Sequence, residues 1–484
     1  MVYFLPIIFL MPMKARISEW WPLPTVGPVE ISFFVSCLML GVFFKEVFQS
    51  GQKFYFKKEH WILTVFILHT IFSFSIIVMG FRPTLEFLGD RLYSNMPHYF
   101  LAIMVLLVIK KNDWTIKNYE KVADILIIIA LIWAAESILA FYLGISIPKL
   151  DSTRAAFGEN YFSSGLTNSL HIVSKASIVA SWLSVYMFFK YRSKRYLFFT
   201  LLFFAVILST LNRASIASLI LFGSYFAYLA LIKFSEKIPK KQSQSFFKKT
   251  ISVIAIIPLF ATGSYFISNK SLLTRNDTVI TTGQVARAIL NAEVSTEELV
   301  GASSLLTDVH AYVERLFQYS RAVEVIIQYP LGNGAGIGYN VCYSKDAIPI
   351  FTDRLRRIEP FLTISKYYQT GIFGADMQQY KVGMSPAFSI HNVVLNWLLD
   401  FGIFALVLLL VYLKYLIKLY KFSNYLVKSK LYFEARLSFI LLFSQLSVFL
   451  AMQATAKFQA YWLLVFLYCF SIALFKSLIR NVES

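Results

Sequence analysis

Residues 390–413 read IHNVVLNWLLDFGIFALVLLLVYL, and this stretch decides the class of the fold. It carries one charged side chain, Asp400, in 24 residues. As a helix it rises about 36 Å at ~1.5 Å per residue, enough to cross ~30 Å of hydrocarbon. Similar apolar runs recur near 29–49, 60–80, 97–110, 122–144, 169–190, 196–211, 214–233, 251–268, 437–454 and 459–477. With a short apolar segment at the N-terminus the spans number about twelve. The alternation that a membrane barrel needs is missing, and a helix is the other backbone form that satisfies its own hydrogen bonds in lipid. The expected fold is an all-α polytopic membrane protein.

Composition points the same way. The 484 residues are 57% apolar, 17% aromatic and 15% charged, with a mean hydropathy of +0.61. Soluble domains average ~25% charged and ~45–50% apolar residues. The N-terminal MVYFLPIIFLMPM has no basic residue before its apolar run and no small-residue cleavage site after it. It reads as a retained short span or interfacial segment and not a signal peptide.

Lys and Arg number 46 against 27 Asp and Glu, a formal charge of +19. Their placement accounts for the excess. Cations gather at Lys53, Lys57 and Lys58; at Lys110, Lys111, Lys117 and Lys121; at Lys190, Arg192, Lys194 and Arg195; at Lys233–Lys249; and at Lys414, Lys418, Lys421, Lys428, Lys430 and Arg436. These are alternate connections between spans, so the positive-inside rule puts them in the cytoplasm with both termini. Lys14 and Arg16 depart from the rule, falling on a predicted outer loop. Topology thus explains the charge without a nucleic-acid partner.

Parity assigns residues 1–268 to transmembrane helices 1–9, 269–389 to a periplasmic loop domain and 390–484 to helices 10–12. Within the loop domain TRNDTVITTG reads as loop, and Asp308–Gln328 has helical spacing with Asp308 as N-cap. PLGNGAGIGYN then breaks the helix. No fixed-period repeat or 6+6 symmetry is present, which disfavours a transporter built from repeated halves. Of the three cysteines, Cys37 and Cys469 lie in apolar runs, and with Cys342 they form no CxxC or Cys/His cluster. Neither a disulfide framework nor a zinc site is expected.

The chemistry-bearing residues gather on the outer side. His391 opens the span that follows the external domain, where a base could meet a lipid-linked substrate; a histidine at a span end is also commonly a plain interfacial residue. Arg213 lies in the short outer turn STLNRASIAS, where a guanidinium could hold phosphate oxygens bidentately or serve as a snorkelling marker. Arg315 and Arg321, six residues apart on the predicted external helix, project in different directions. The glycines Gly332, Gly334 and Gly336 lack the GK[ST] of a Walker loop, and such a stretch is more commonly a flexible turn than a phosphate cradle. Inside the bilayer, Glu136 and Lys175, with His171 one turn before the lysine, form a structural pair or a substrate contact. No DxD-like cluster or ATP-binding motif is present, so metal and nucleotide cofactors are not expected.

Three motifs in order carry a resemblance. LNRASIASLILF, RAVEVIIQYPLGNGAGIGYN and HNVVLNWLLDFGIFALVLLL together resemble the O-antigen ligase and polymerase superfamily over about residues 200–402. Its SRG-like turn is matched by Arg213, with Asn212 and Ala214 as departures. Its Arg followed by P-x-G-x-G-x-G is matched by Arg321 with Gly332, Gly334 and Gly336. Its HN-x-x-L-x-x-x-x-x-x-G is matched by His391, Asn392, Leu395 and Gly402. TRAAFGENYFSSG around Arg154 resembles, more loosely, a further outer-loop arginine motif.

The resemblance implies a GT-C type inner-membrane glycosyltransferase of lipopolysaccharide or capsule biosynthesis, with its active site facing the periplasm. The donor would be a glycan on undecaprenyl diphosphate, with no metal or nucleotide. It implies His391 as the base, Arg213, Arg321, Arg315 and Arg154 as diphosphate contacts, and Asn392, the three glycines, Glu136 and Lys175 in support. Inversion at the anomeric carbon would follow from a single displacement. A polymerase would use another lipid-linked glycan as acceptor and could work with a chain-length regulator protein. A ligase would use lipid A core, and a protein O-oligosaccharyltransferase a side-chain hydroxyl. The competitor of another class is a lipid-linked glycan flippase, which has no use for an external domain of about 120 residues.

Overall fold

A computed structural model of the chain describes residues 45, 49, 68, 69, 72, 75, 79, 115–143, 145, 154–157, 160–162, 170–209, 218, 219, 221–225, 271–275, 278–281, 319, 322, 323, 325–333, 392–452 and 458–483. In chain order the elements are α1 (Ile116–Leu143), β1 (Arg154–Phe157), β2 (Asn160–Phe162), α2 (Leu170–Tyr191), α3 (Lys194–Ser209), β3 (Ser271–Arg275), β4 (Thr278–Thr281), α4 (Val393–Phe401), α5 (Phe404–Lys428), α6 (Tyr432–Met452) and α7 (Phe458–Glu483). The described residues are mainly helical, as the apolar runs imply, and six helices start within about six residues of an expected span boundary. The N-terminal segment and the expected spans near 29–49, 60–80, 97–110, 214–233 and 251–268 lie largely or wholly outside the described residues, so the count of twelve is not tested. Among the described residues Tyr432–Ala451 is long and apolar enough to cross a membrane. Ile116–Leu143, bent by 42° between Ala135 and Ser137, is a second if the bend falls within one span.

Contacts divide the chain into two units. The first comprises Met1–Ile71, Phe87–Tyr225 and Leu406–Ser484, and the second Phe72–Glu86 and Phe226–Ala405.

In the first unit α2 touches α1, α3, α6 and α7. Its Trp182 is fully buried, donates from Nε1 to Ser447 Oγ at 2.9 Å and stacks on Phe222. Large aromatic side chains such as Tyr186, Phe203, Phe439 and Phe470 share this interior with serines: Ser174, Ser181 and Ser184 of α2, Ser423 of α5, Ser438, Ser444 and Ser447 of α6, and Ser471 of α7 are all fully buried. The outer faces also carry large apolar residues: Ile128 is 48% exposed, Phe198 57% and Leu410 65%. Buried serines that bond between helices, with large apolar residues on the outer faces, suit a bundle whose solvent is lipid.

The acidic residues of α1 fix which helix ends lie together. Glu120, 3% exposed, accepts from Tyr186 Oη at 3.0 Å and Tyr191 Oη at 2.7 Å, with Lys190 Nζ at 3.6 Å. Asp124, one turn on, accepts from Tyr196 Oη at 2.8 Å and lies 3.6 Å from Arg195. The start of α1, the end of α2 and the start of α3 thus meet at one end. The cations of Lys117–Lys121 and of Lys190–Arg195 thus lie at the same end of the bundle. Arg192 makes the tight α2–α3 turn in the left-handed conformation, φ 56°, that glycine usually supplies at helix ends.

Two local readings change. Within TRNDTVITTG, expected as loop, Thr274 and Arg275 of β3 pair with Val279 and Thr278 of β4 in an antiparallel hairpin. The β-branched TVIT of β4 suits that form. A second hairpin pairs Arg154 with Phe162. The connection expected at 414–436 is helical as far as Lys428: α5 continues through Lys414, Lys418 and Lys421, and only Ser429–Leu431 separate it from α6. Lysine has good helix propensity, so cations that mark a topological boundary need not end a helix.

Candidate active site

The second unit holds the best-defined part of the motif region. α4 begins at Asn392, whose extended backbone (φ −157°, ψ 116°) and side-chain oxygen form an N-cap. Asn392 Oδ1 accepts from Val394 N at 2.9 Å and from Leu395 N at 3.1 Å, satisfying two of the donors that a helix start leaves open. Asn396 Nδ2 donates to the Asn392 carbonyl at 3.0 Å, so a second amide grips the same turn. The residue bound most firmly to the start of α4 is thus the one directly after His391.

α4 ends at Gly402, with φ 57° and ψ −139°, a region that only glycine enters without strain. The PLGN turn of the preceding motif meets this end. Ile403 N donates to Pro330 O at 2.8 Å, Asn333 N to Leu399 O at 3.1 Å and to Asp400 O at 3.0 Å, and Asn333 Nδ2 to Leu399 O at 2.9 Å. A segment some seventy residues away in sequence therefore caps the open carbonyls of α4.

Glycine is required on both sides of this contact. A Cβ on Gly402 would stand 2.1 Å from Pro330 O and 2.4 Å from Gly332 N; one on Gly332, itself at φ 83°, would stand 2.5 Å from Asp400 O and Gly402 N. Gly332 is accordingly fixed by its contacts with the end of α4, whereas a glycine stretch of this kind is more commonly a flexible turn. It is half of a backbone clamp, and Gly402 is the other half. The helical residues just before the turn are pinned with it: Ala322 and Val325 are buried, and Tyr329 N and Gly332 N continue the hydrogen-bond run.

The remaining expected site residues divide plainly. Arg213, Arg315, Arg321, Gly334, Gly336 and His391 lie outside the described residues. Arg154 is a β1 residue whose side chain is not described, and Glu136 is likewise placed only as part of α1. Lys175 is buried in α2, 2% exposed. Next to it in sequence Val173 and Ala176 pack against Ala134 and against Ile129 and Trp133 of α1. Sequence reasoning passed over Asn333, which is fully buried, and Asn396, 9% exposed. An Asn between two glycines signals a turn, but its capping of a distant helix is a tertiary fact without local signature.

The O-antigen ligase family profile matches residues 197–410, a little under half of the chain. No curated protein and no solved structure matches. The matched stretch spans all three motifs, including both halves of the glycine clamp, and the family is one of glycan-transferring enzymes of lipopolysaccharide biosynthesis. The motifs that carry the resemblance to the O-antigen ligase and polymerase superfamily thus fall inside the stretch, residues 197–410, that the O-antigen ligase profile matches.

Proposed function

We propose that this chain is an inner-membrane glycosyltransferase that polymerises undecaprenyl-diphosphate-linked repeat units on the periplasmic face, without metal and with inversion. The observation that carries the reading is the clamp between Gly332 and Gly402. In sequence Arg321 and His391 each precede one of the clamp glycines by eleven residues. Side by side, the two stretches would bring a cation and a base to one level, as transfer from a diphosphate requires.

In this mechanism the acceptor hydroxyl gives its proton to the His391 imidazole as its oxygen attacks the anomeric carbon. The bond from that carbon to the diphosphate oxygen breaks, and undecaprenyl diphosphate leaves with the bonding pair. Arg213 and Arg321, joined by Arg315 and Arg154, hold the negative charge that develops on the leaving group. Asn392 fixes the backbone beside the base through its cap, the glycines hold the external loop in place, and Glu136 and Lys175 support the bundle. Replacing His391 with Ala should abolish transfer at unchanged membrane levels of the protein; normal product from that variant would remove the base from this scheme.

The ligase reading, in which lipid A core replaces the glycan acceptor, is favoured by the description of the matched family. The external segment of about 120 residues favours polymerase, because a growing chain must be held while its reducing end is transferred.

A further inference from the structure

Ring and hydroxyl contacts fix the level of α5 against its two neighbours. Tyr412 meets Phe449, Tyr420 meets Phe439 and Ser423 bonds Ser438 at 2.6 Å along antiparallel α6; Tyr415 meets Tyr468 and Phe422 meets Phe475 along parallel α7. The apolar run of α6, 437–454, then lies level with about 407–424 of α5. The run of α7, 459–477, lies level with 406–424. Two independent neighbours thus give the same hydrocarbon-level segment on α5.

Lys414, Lys418 and Lys421 fall inside that segment. All three are exposed, and spaced i, i+4, i+7 they share one face of α5, opposite the buried Leu416, Leu419 and Ser423. Lys414 is level with Ser447, the partner of Trp182 in the middle of the bundle. Neither α6 nor α7 has an acidic residue within its apolar run. Lysines at this depth do not rest against acyl chains; they face an anion, another charged group or water. Their long stems can carry the ammonium groups about one turn toward the end of α5, where exposed Tyr425 and Lys428 continue the same face.

We propose that this face of α5 binds the phosphate of an anionic phospholipid, held at about the level of Lys421 and reached by Lys414 and Lys418 from above. The exposed Val407 and Leu410 further along the same face offer the apolar surface that its acyl chains need. The site rests on the membrane-embedded reading given above. It lies on α5, the helix after the one that His391 precedes, and it takes a bilayer lipid, not the glycan donor.

The test uses the full-length protein purified in mild detergent, offered phosphatidylglycerol or phosphatidylcholine of the same acyl chains, with retained lipid measured by native mass spectrometry. The wild type should retain phosphatidylglycerol over phosphatidylcholine. Lys414→Gln/Lys418→Gln/Lys421→Gln should lose that preference by on the order of tenfold or more, since each lysine near an anionic headgroup contributes a factor of roughly five. The corresponding triple Arg variant should keep it. Equal retention of both lipids by the wild type, an undiminished preference in the Gln variant, or displacement of phosphatidylglycerol by undecaprenyl diphosphate would overturn the proposal. So would loss of the preference only when the protein passes from dimer to monomer, which would give the face to a second copy. Release of the protein from membranes by alkaline carbonate would instead sink the membrane reading itself.

Discussion

Replacing Gly402 with Ala places a methyl group where backbone already stands. The new Cβ would be 2.1 Å from Pro330 O and 2.4 Å from both Gly332 N and Leu331 C. Because all three are main-chain atoms, no side chain can rotate away, and the PLGN turn must retreat by about 1 Å to reach ordinary contact. Alanine would also have to hold φ 57° and ψ −139°, a strain of about 1–3 kcal/mol. Retreat would stretch the bonds from Ile403 N to Pro330 O and from Asn333 to Leu399 O and Asp400 O, each contributing about 1 kcal/mol. The expected loss is roughly 3–5 kcal/mol in the second unit. The control is Gly223→Ala, at an exposed helical position where a new Cβ meets nothing within 4 Å; it should be neutral or stabilise by up to ~1 kcal/mol. The assay is thermal unfolding in detergent beside glycan transfer in membranes. If Gly402→Ala melts and transfers like Gly223→Ala, the clamp does not hold the site and the reasoning fails.

Three further outcomes are expected. Asn392→Ala should cost about 1 kcal/mol and lower transfer, whereas Asn392→Asp, which keeps the cap acceptor, should restore most of both; equal loss in the two variants would give the amide a role beyond capping. Lys should substitute poorly for Arg213 and Arg321, because a point charge cannot reproduce bidentate diphosphate contacts, and full transfer by both Lys variants would reduce the arginines to topology markers. Cysteines at 275 and 345 should react with an impermeant thiol reagent added from outside, while cysteines at 241 and 428 should not; the reverse pattern would put His391 in the cytoplasm.

Hydropathy made the helices legible because each of α1, α2, α3, α6 and α7 coincides with an apolar run long enough to stand out in the sequence. The same uniformity concealed the break between α4 and α5. Residues 390–413 are one apolar run, and only the approach of Pro330 and Gly332 shows why Gly402 interrupts it. Reading cations as connections ended a helix at Lys414 that continues to Lys428, since lysine does not of itself terminate a helix. In the site, the motif spacing singled out Gly332 and Gly402 without showing that they meet. That contact joins segments seventy residues apart, as does the capping by Asn333.

The central claim is that the chain moves a glycan from a lipid diphosphate to a second lipid-linked glycan. The most direct measurement incubates the purified protein with undecaprenyl-diphosphate-linked repeat units alone, without lipid A core, metal or nucleotide sugar. A ladder of lengthened glycans, formed by the wild type and absent with His391→Ala, is the predicted result. No elongation until lipid A core is added, followed by a single transfer onto it, would contradict polymerisation, and no transfer to either acceptor would contradict the account as a whole.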